Sequence, residues 1–86
     1  MDSQMLDGNA VAGMLQEVFA VEMTNAIETC RGCGASDALG ATHVYRGAGT
    51  VLVCPHCDNP LVKIVRGDTR MWIGFPGLAM LQLPVV

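Results

Sequence analysis

The chain has 86 residues, a formal net charge of −3, and a composition that is 51% hydrophobic and only 15% charged. This length predicts one domain, residues 1–86, whose small hydrophobic core is marginal and would be helped by a metal or covalent staple. The acidic balance argues against a nucleic-acid partner. The longest uncharged stretch, residues 71–86, is broken by glycine and proline and is too short to cross a membrane.

The first predicted element is an amphipathic helix within residues 1–20. From Ala10 onward the apolar side chains recur at helical spacing and form one face, which contains Val11, Met14, Leu15, Val18 and Phe19. Asp7 precedes this face and is placed to cap the first turn. Gly13 lies in the helix interior, where glycine costs about 1 kcal/mol relative to alanine. We expect this helix to cover a sheet, with binding of a partner as the alternative.

Residues 21–77 are predicted to form antiparallel β-structure. Alternation of Val21 and Met23 with polar neighbours indicates a short strand before the first cysteine, unless the helix continues to Met23. Further strands are predicted at residues 41–46, 50–53, 61–66 and 70–75, joined in pairs by glycine-containing turns at residues 47–49 and 67–69.

The tail, residues 78–86, is apolar and uncharged. Two interpretations stay open for it. The tail either adds a final strand or turn against the helix, or forms a surface for self-association or docking to a larger protein. Deleting residues 81–86 distinguishes the two, because loss of the fold would make the tail part of the core.

The four cysteines are the most informative residues of the sequence. Two C-x-x-C pairs, Cys30 with Cys33 and Cys54 with Cys57, are separated by residues 34–53, a spacing at the upper limit of the zinc pattern. Two cysteines in a tight turn can point both sulfurs at one ion about 2.3 Å away, and two such turns complete a tetrahedron. The sequence therefore predicts one Zn²⁺ per chain in a small metal-bound α+β fold: an N-terminal helix followed by an antiparallel β zinc ribbon with rubredoxin-like knuckles.

The backbone around the cysteines fits such turns. Gly32 and Gly34 permit positive φ angles and a close approach of amides to sulfur. The second pair has Asp58 at the position of Gly34, and aspartate tolerates the left-handed conformation better than most residues. This substitution is therefore compatible with a second knuckle.

Other uses of the cysteines remain as alternatives. Disulfides or a dithiol redox pair are disfavoured, because the chain shows no export signal and no βαβ context around a C-x-x-C. A rubredoxin-like site with one iron is the main rival to zinc, since a thiolate tetrahedron accepts either metal. An iron–sulfur cluster fits two separated pairs less well. His43 or His56 could replace a thiolate, although we expect the His56 side chain to point away from the metal.

No catalytic residues are predicted. Four thiolates leave no open coordination position for water, and the sequence offers no nucleophile with a nearby base. The protein is therefore expected not to be an enzyme. Asp2 and the lack of a basic segment at the N-terminus argue against a signal peptide, which predicts a cytoplasmic location.

A resemblance extends over nearly the whole chain. The residues that carry it are Leu6-Asp7-Gly8-Asn9-Ala10, Glu17-Val18-Phe19, both cysteine pairs and His43-Val44-Tyr45. Together they resemble a bacterial family of small four-cysteine, zinc-ribbon-like proteins known only as a domain of unknown function. The resemblance implies no activity of its own, but it implies an accessory subunit or carrier for an oxidoreductase.

The predicted function is a non-catalytic protein-interaction or accessory module that zinc stabilises. It would bind a protein partner, or another copy of itself, through apolar surface on the helix or the tail. The alternative is a one-iron electron carrier for a redox enzyme. Nucleic-acid binding, which is common among zinc ribbons, is disfavoured because the chain is acidic.

Overall fold

The computed structural model describes residues 6–19 and 23–83. In chain order the elements are β1 (Leu6–Asp7), a 3-10 turn (Gly8–Val11), α1 (Ala12–Phe19), β2 (Ile27–Cys30), β3 (Ser36–Ala38), a second 3-10 turn (Leu39–Ala41), β4 (His43–Arg46), β5 (Thr50–Val53), β6 (Pro60–Arg66), β7 (Met71–Gly74) and β8 (Leu78–Gln82). This part of the chain is a small α+β fold with one short helix. No helix within it is long and apolar enough to cross a membrane.

The strands form two antiparallel sheets. The large sheet has the order β1, β4, β5, β6, β7, and the small sheet has the order β3, β2, β8. The loop at residues 47–49 turns β4 into β5, so that Tyr45 pairs with Val51. β8 returns to pair with β2, which places Leu81 opposite Glu28. The small sheet is therefore completed by a strand from the other end of the described chain.

The core contains side chains from the helical segment and from both sheets. Alternation decides which strand residues enter it: in β6, Val62 and Ile64 are buried, whereas Lys63 between them is exposed. Burying one such aliphatic side chain contributes roughly 1.5–3 kcal/mol. The buried cluster consists of Val11, Leu15, Met23, Ala26, Cys30, Leu39, Val44, Leu52, Cys54, Leu61, Val62 and Ile64.

The predicted strands of the large sheet are present, with shifted ends. β5 covers the predicted residues 50–53, β6 begins one residue early, and β7 occupies the middle of the predicted residues 70–75. β4 begins only at His43, because residues 39–41 form a 3-10 turn in which the Thr42 hydroxyl donates to the Leu39 carbonyl at 2.7 Å. Residues 78–82 form β8, a final strand as one interpretation of the tail expects, but this strand pairs with β2. Residues 84–86 lie outside the described residues.

The N-terminal prediction needs correction. Asp7 does not cap the helix with its side chain, because it lies in β1 opposite His43 with an extended backbone (φ −98°, ψ 171°) and makes no side-chain capping hydrogen bond. A two-residue strand therefore precedes the helix. α1 itself begins only at Ala12, since residues 8–11 form a 3-10 turn.

The strand that enters the first cysteine pair is β2, rather than the predicted segment at residues 21–24. Residues 20–22 lie outside the described residues. Thr24 and Asn25 form a turn in which the Ala26 amide donates to the Met23 carbonyl at 3.0 Å. β2 then pairs with both β3 and β8, in a sheet that the sequence did not predict.

Candidate metal centre

The first knuckle begins at the end of β2. Cys30 closes this strand, and the chain then reverses so that the Gly34 amide donates to the Cys30 carbonyl at 2.9 Å. The Cys30 amide donates to the Ala35 carbonyl, also at 2.9 Å. Gly34 has a φ of 79°, a left-handed conformation that glycine adopts at little steric cost. This turn brings the sulfur of Cys33 back beside that of Cys30.

The second knuckle repeats the same hydrogen bonds after β5. The Asp58 amide donates to the Cys54 carbonyl at 2.9 Å, and the Cys54 amide donates to the Asn59 carbonyl at 2.9 Å. Asp58 has a φ of 62°, which aspartate tolerates better than most side chains. Asp58 therefore occupies the position of Gly34, and the two knuckles are equivalent.

The two knuckles bring all four predicted cysteine sulfurs together. The Sγ atoms of Cys30, Cys33, Cys54 and Cys57 lie within 4.8 Å of one another. In two of the pairs, Cys30 with Cys57 and Cys33 with Cys54, the sulfurs are 3.6 Å apart. Four thiolates bound about 2.3 Å from one tetrahedral ion would be about 3.8 Å apart, whereas a disulfide needs about 2.05 Å. The cluster could therefore hold one metal ion.

N–H groups from the knuckles point at the sulfurs. The Gly32 amide donates to Cys30 Sγ at 3.3 Å, and the His56 amide donates to Cys54 Sγ at 3.4 Å. The Asn59 side-chain amide also donates to Cys30 Sγ, at 3.6 Å. Such donors stabilise thiolates and hold ligands in place. Sequence reasoning missed Asn59, because its role depends on how the two knuckles meet.

The thiols differ in how readily they ionise. Burial raises the pKa of the Cys30 thiol, but the hydrogen bonds that it accepts outweigh burial and lower this pKa to about 6. Burial raises the pKa of Cys54. An amide hydrogen bond from Asn59 lowers the pKa of Cys57, yet burial and the other three thiols outweigh it and raise this pKa to about 12. Cys30 is therefore the thiol that ionises readily. Ionising Cys54 or Cys57 beside it is unfavourable unless a cation balances the added negative charge.

The cluster lies between the two sheets. Cys30 belongs to β2 of the small sheet, and Cys54 directly follows β5 of the large sheet. Both are buried, whereas Cys33 and Cys57 are exposed. The Arg31 amide donates to the carbonyl of residue 77 at 2.7 Å, which ties the first knuckle to the turn before β8. A metal ion at this place would join the two sheets.

Within the described residues, neither histidine belongs to the cysteine cluster. The Nε2 atom of His56 instead lies 2.8 Å from Oδ2 of Asp37 in β3. This contact is a further link between the second knuckle and the small sheet. His43 is half-buried in β4, where it pairs with Asp7 and Val53.

A buried carboxyl lies two residues before the first ligand candidate. Glu28 is fully buried in β2, and neither of its oxygens has a hydrogen-bond partner among the described residues. Burial, followed by the charges of Asp37 and Cys30, raises the pKa of Glu28 to about 7, against the opposing effect of His56. Strand alternation could have identified it from the sequence: because Cys30 faces the interior, Glu28 must do so as well.

The comparisons with known proteins give one result. A family model described as a family of unknown function, DUF6510, matches residues 2–86. No curated protein and no solved structure shows a significant match to the chain. The family match covers both knuckles but assigns no activity, so any function has to be argued from the site.

Proposed function

We propose that this chain, which belongs to the DUF6510 family of unknown function, is a non-catalytic zinc-ribbon protein that serves as a protein-interaction module. One Zn²⁺ would be held by the four cysteines, Cys30, Cys33, Cys54 and Cys57. The observation that carries the proposal is the geometry of their sulfurs, all within 4.8 Å of one another at the ends of two equivalent knuckles.

The donor set fits structural zinc. Zinc sites with four cysteines are closed, whereas catalytic zinc keeps one position for water. Here four thiols surround one point, and backbone amides donate to the two buried sulfurs, those of Cys30 and Cys54. Zinc bound in such a site supplies folding free energy. The amides that donate to these sulfurs would orient the thiolates and stabilise their negative charge.

Metal analysis tests this part of the proposal. The full chain, purified without added metal, is expected to be colourless and to carry about one zinc ion per molecule, as one closed site requires. Cys57→Ser should lose the metal, while Ser36→Ala, a change at an exposed residue outside the cluster, should retain it. One equivalent of iron and a red colour would overturn the assignment to zinc.

A one-iron electron carrier is the second candidate, and one observation favours it. Cys33 and Cys57, two of the four candidate ligand residues, are exposed. An electron could therefore reach an iron ion in this site without crossing the core. For this candidate we expect the purified protein to be red, to bleach on addition of dithionite, and to recover its colour in air.

Exposed apolar side chains support the interaction role. Trp72, Phe75 and Met80 are 57%, 43% and 63% exposed. They belong to β7, the turn after it and β8, and both strands lie at the edge of a sheet. Apolar side chains beside open strand edges are common where a partner docks. We expect a protein partner, and an oxidoreductase is the class that the sequence resemblance implies.

Site-specific cross-linking in the native cell tests this surface. A photoreactive residue in place of Met80 should give one discrete adduct with another protein. The same residue in place of Tyr45, which is 45% exposed on β4, is the control and should give none. Equal adducts from both positions would contradict the proposed surface. An adduct with twice the mass of the chain would identify the partner as a second copy.

A further inference from the structure

An open cavity of about 490 Å³ lies between α1 and the large sheet. From α1, Gly13, Met14 and Glu17 line it. The rest of the wall is residues 46–50, which are the β4–β5 loop and the strand residue on each side of it, with Ile64 and Arg66 of β6. None of the four cysteines lines it. Its volume falls within the range of roughly 300–1,000 Å³ that is usual for small-molecule pockets. The cavity is therefore a feature separate from the candidate metal centre.

Three charged side chains line this cavity, Glu17, Arg46 and Arg66. Glu17 and Arg66 form an ion pair between Oε1 and Nη2, which connects α1 to β6. Arg46 has no ion-pair partner among the described residues. The lining thus has one guanidinium in excess, which suits a ligand with a single negative charge. A guanidinium binds a carboxylate with two parallel hydrogen bonds.

Gly13 provides a second and independent observation. It lies inside α1 and lines the cavity, yet a Cβ atom at this position would meet no atom within 4 Å. Packing therefore does not require glycine here, although glycine costs a helix about 1 kcal/mol relative to alanine. Glycine at this lining position leaves the helix backbone uncovered beside the cavity.

We propose that this cavity binds a small organic monocarboxylate. Arg46 pairs with the carboxylate, and the apolar body of the ligand lies against Met14 and Ile64, which line the same space. A phosphate dianion would leave one negative charge without a partner, in a chain whose net charge is already −3. Charge balance therefore selects a carboxylate over a phosphate ester.

A titration of the full chain with its native metal, followed through backbone amide resonances in NMR, tests this proposal. Benzoate at millimolar concentration should shift the resonances of residues 13–17 and 46–50 saturably. Benzamide, which has the same shape without the charge, and inorganic phosphate should not. Arg46→Gln should weaken benzoate binding by about tenfold or more, the effect of losing a charge-assisted hydrogen bond. Gly13→Ala should also weaken benzoate binding while raising the thermal midpoint.

Lys63→Gln is the matched control. Lys63 is an exposed cation on β6, next to the cavity residue Ile64 but on the opposite face of the strand, so its loss should leave benzoate binding unchanged. Saturable shifts that are lost in Arg46→Gln and kept in Lys63→Gln support the proposal. Absence of saturable shifts with benzoate would overturn it, as would equal binding of benzamide, preferential binding of phosphate, or wild-type affinity in Arg46→Gln or Gly13→Ala.

Discussion

At the scale of single residues, Glu28 makes the fold sensitive to pH. It is fully buried, and neither oxygen has a hydrogen-bond partner among the described residues. A carboxyl in that position is costly to ionise. The pKa of Glu28 is raised from 4.5 to about 7, so between these values the folded chain keeps a proton that the unfolded chain releases. The contribution of Glu28 to the free energy of unfolding is therefore fully present below pH 4.5 and is lost as the pH rises through 7. The loss amounts to about 3 kcal/mol.

Glu28→Gln should remove this dependence. Glutamine keeps the shape of the side chain without the charge, so the thermal midpoint should rise at about pH 8 and change little at about pH 5. Circular dichroism melts of the variant and the wild type at both pH values measure the effect. Glu17→Gln, a change at a side chain that is 60% exposed, is the control and should show no such difference. An equal gain for Glu28→Gln at both pH values would mean that ionisation is not the cause.

Asn59 is the residue outside the four cysteines that we expect to matter most for the metal. Its side-chain amide donates to Cys30 Sγ at 3.6 Å and helps to lower the pKa of that thiol to about 6. Asn59→Ala should therefore raise this pKa and weaken metal affinity by roughly 10–100-fold, as is usual when a donor behind a ligand is lost. Competition with a chromophoric chelator measures the affinity. Asn25→Ala, at an exposed turn residue, should bind the metal like the wild type, and equal affinity in both variants would contradict this role.

The cysteines and the residues that support them differ in how well the sequence reveals them. A C-x-x-C knuckle is local, so the spacing of Cys54 and Cys57 was enough to predict that their sulfurs converge. The same local logic makes Asp58 a plausible left-handed residue, and its φ of 62° agrees. Alternation with Cys30 would place Glu28 on the interior face of its strand. The contact of Asn59 with Cys30 joins segments distant in the sequence, so its role could not be predicted without the arrangement of both knuckles.

At the scale of elements, β8 connects the end of the described chain to β2. Leu81 pairs with Glu28 and packs against the core, whereas its neighbour Met80 is 63% exposed. Leu81→Ala should therefore destabilise the protein by about 1–3 kcal/mol. This cost is at the low end for a leucine in a core, because Leu81 is only half-buried. Met80→Ala, on the same strand, should stay within about 0.5 kcal/mol of the wild type. Urea unfolding of both variants tests this pair, and a larger cost for Met80→Ala would contradict the orientation of β8.

In the large sheet, β4 to β7 were predictable because they form two local hairpins with glycine-containing turns at residues 47–49 and 67–69. Neither β1, which is two residues long, nor the small sheet was. Its strands β2 and β3 are only four and three residues long, and the Ser-Asp-Ala sequence of β3 is typical of a loop. Its third strand, β8, comes from the far end of the chain. Non-local pairing of this kind leaves no periodic signal that a sequence window can detect.

At the scale of the whole molecule, the sulfur cluster is one place at which the two sheets are joined, beside the core to which both contribute. Cys30 comes from the small sheet and Cys54 follows a strand of the large one. The contact of His56 with Asp37 links the same two parts but is exposed to solvent, and an exposed ion pair is worth at most about 1 kcal/mol. A chain of 86 residues also has a small core. The connection between the sheets is therefore expected to depend mainly on the metal.

Removing the metal should therefore unfold the protein. Structural zinc contributes an apparent ~10–16 kcal/mol at neutral pH in small domains, which is as large as the whole stability of a typical domain, ~5–15 kcal/mol. Cys54→Ser, or a strong chelator added to the wild type, should abolish the cooperative thermal transition seen by circular dichroism, and returning zinc to the chelated wild type should restore it. Met80→Ala carries its change on an exposed side chain and should keep a sharp transition throughout. A chelated wild type or a Cys54→Ser variant that still melts cooperatively near the wild-type midpoint would show that the two sheets hold together by packing alone.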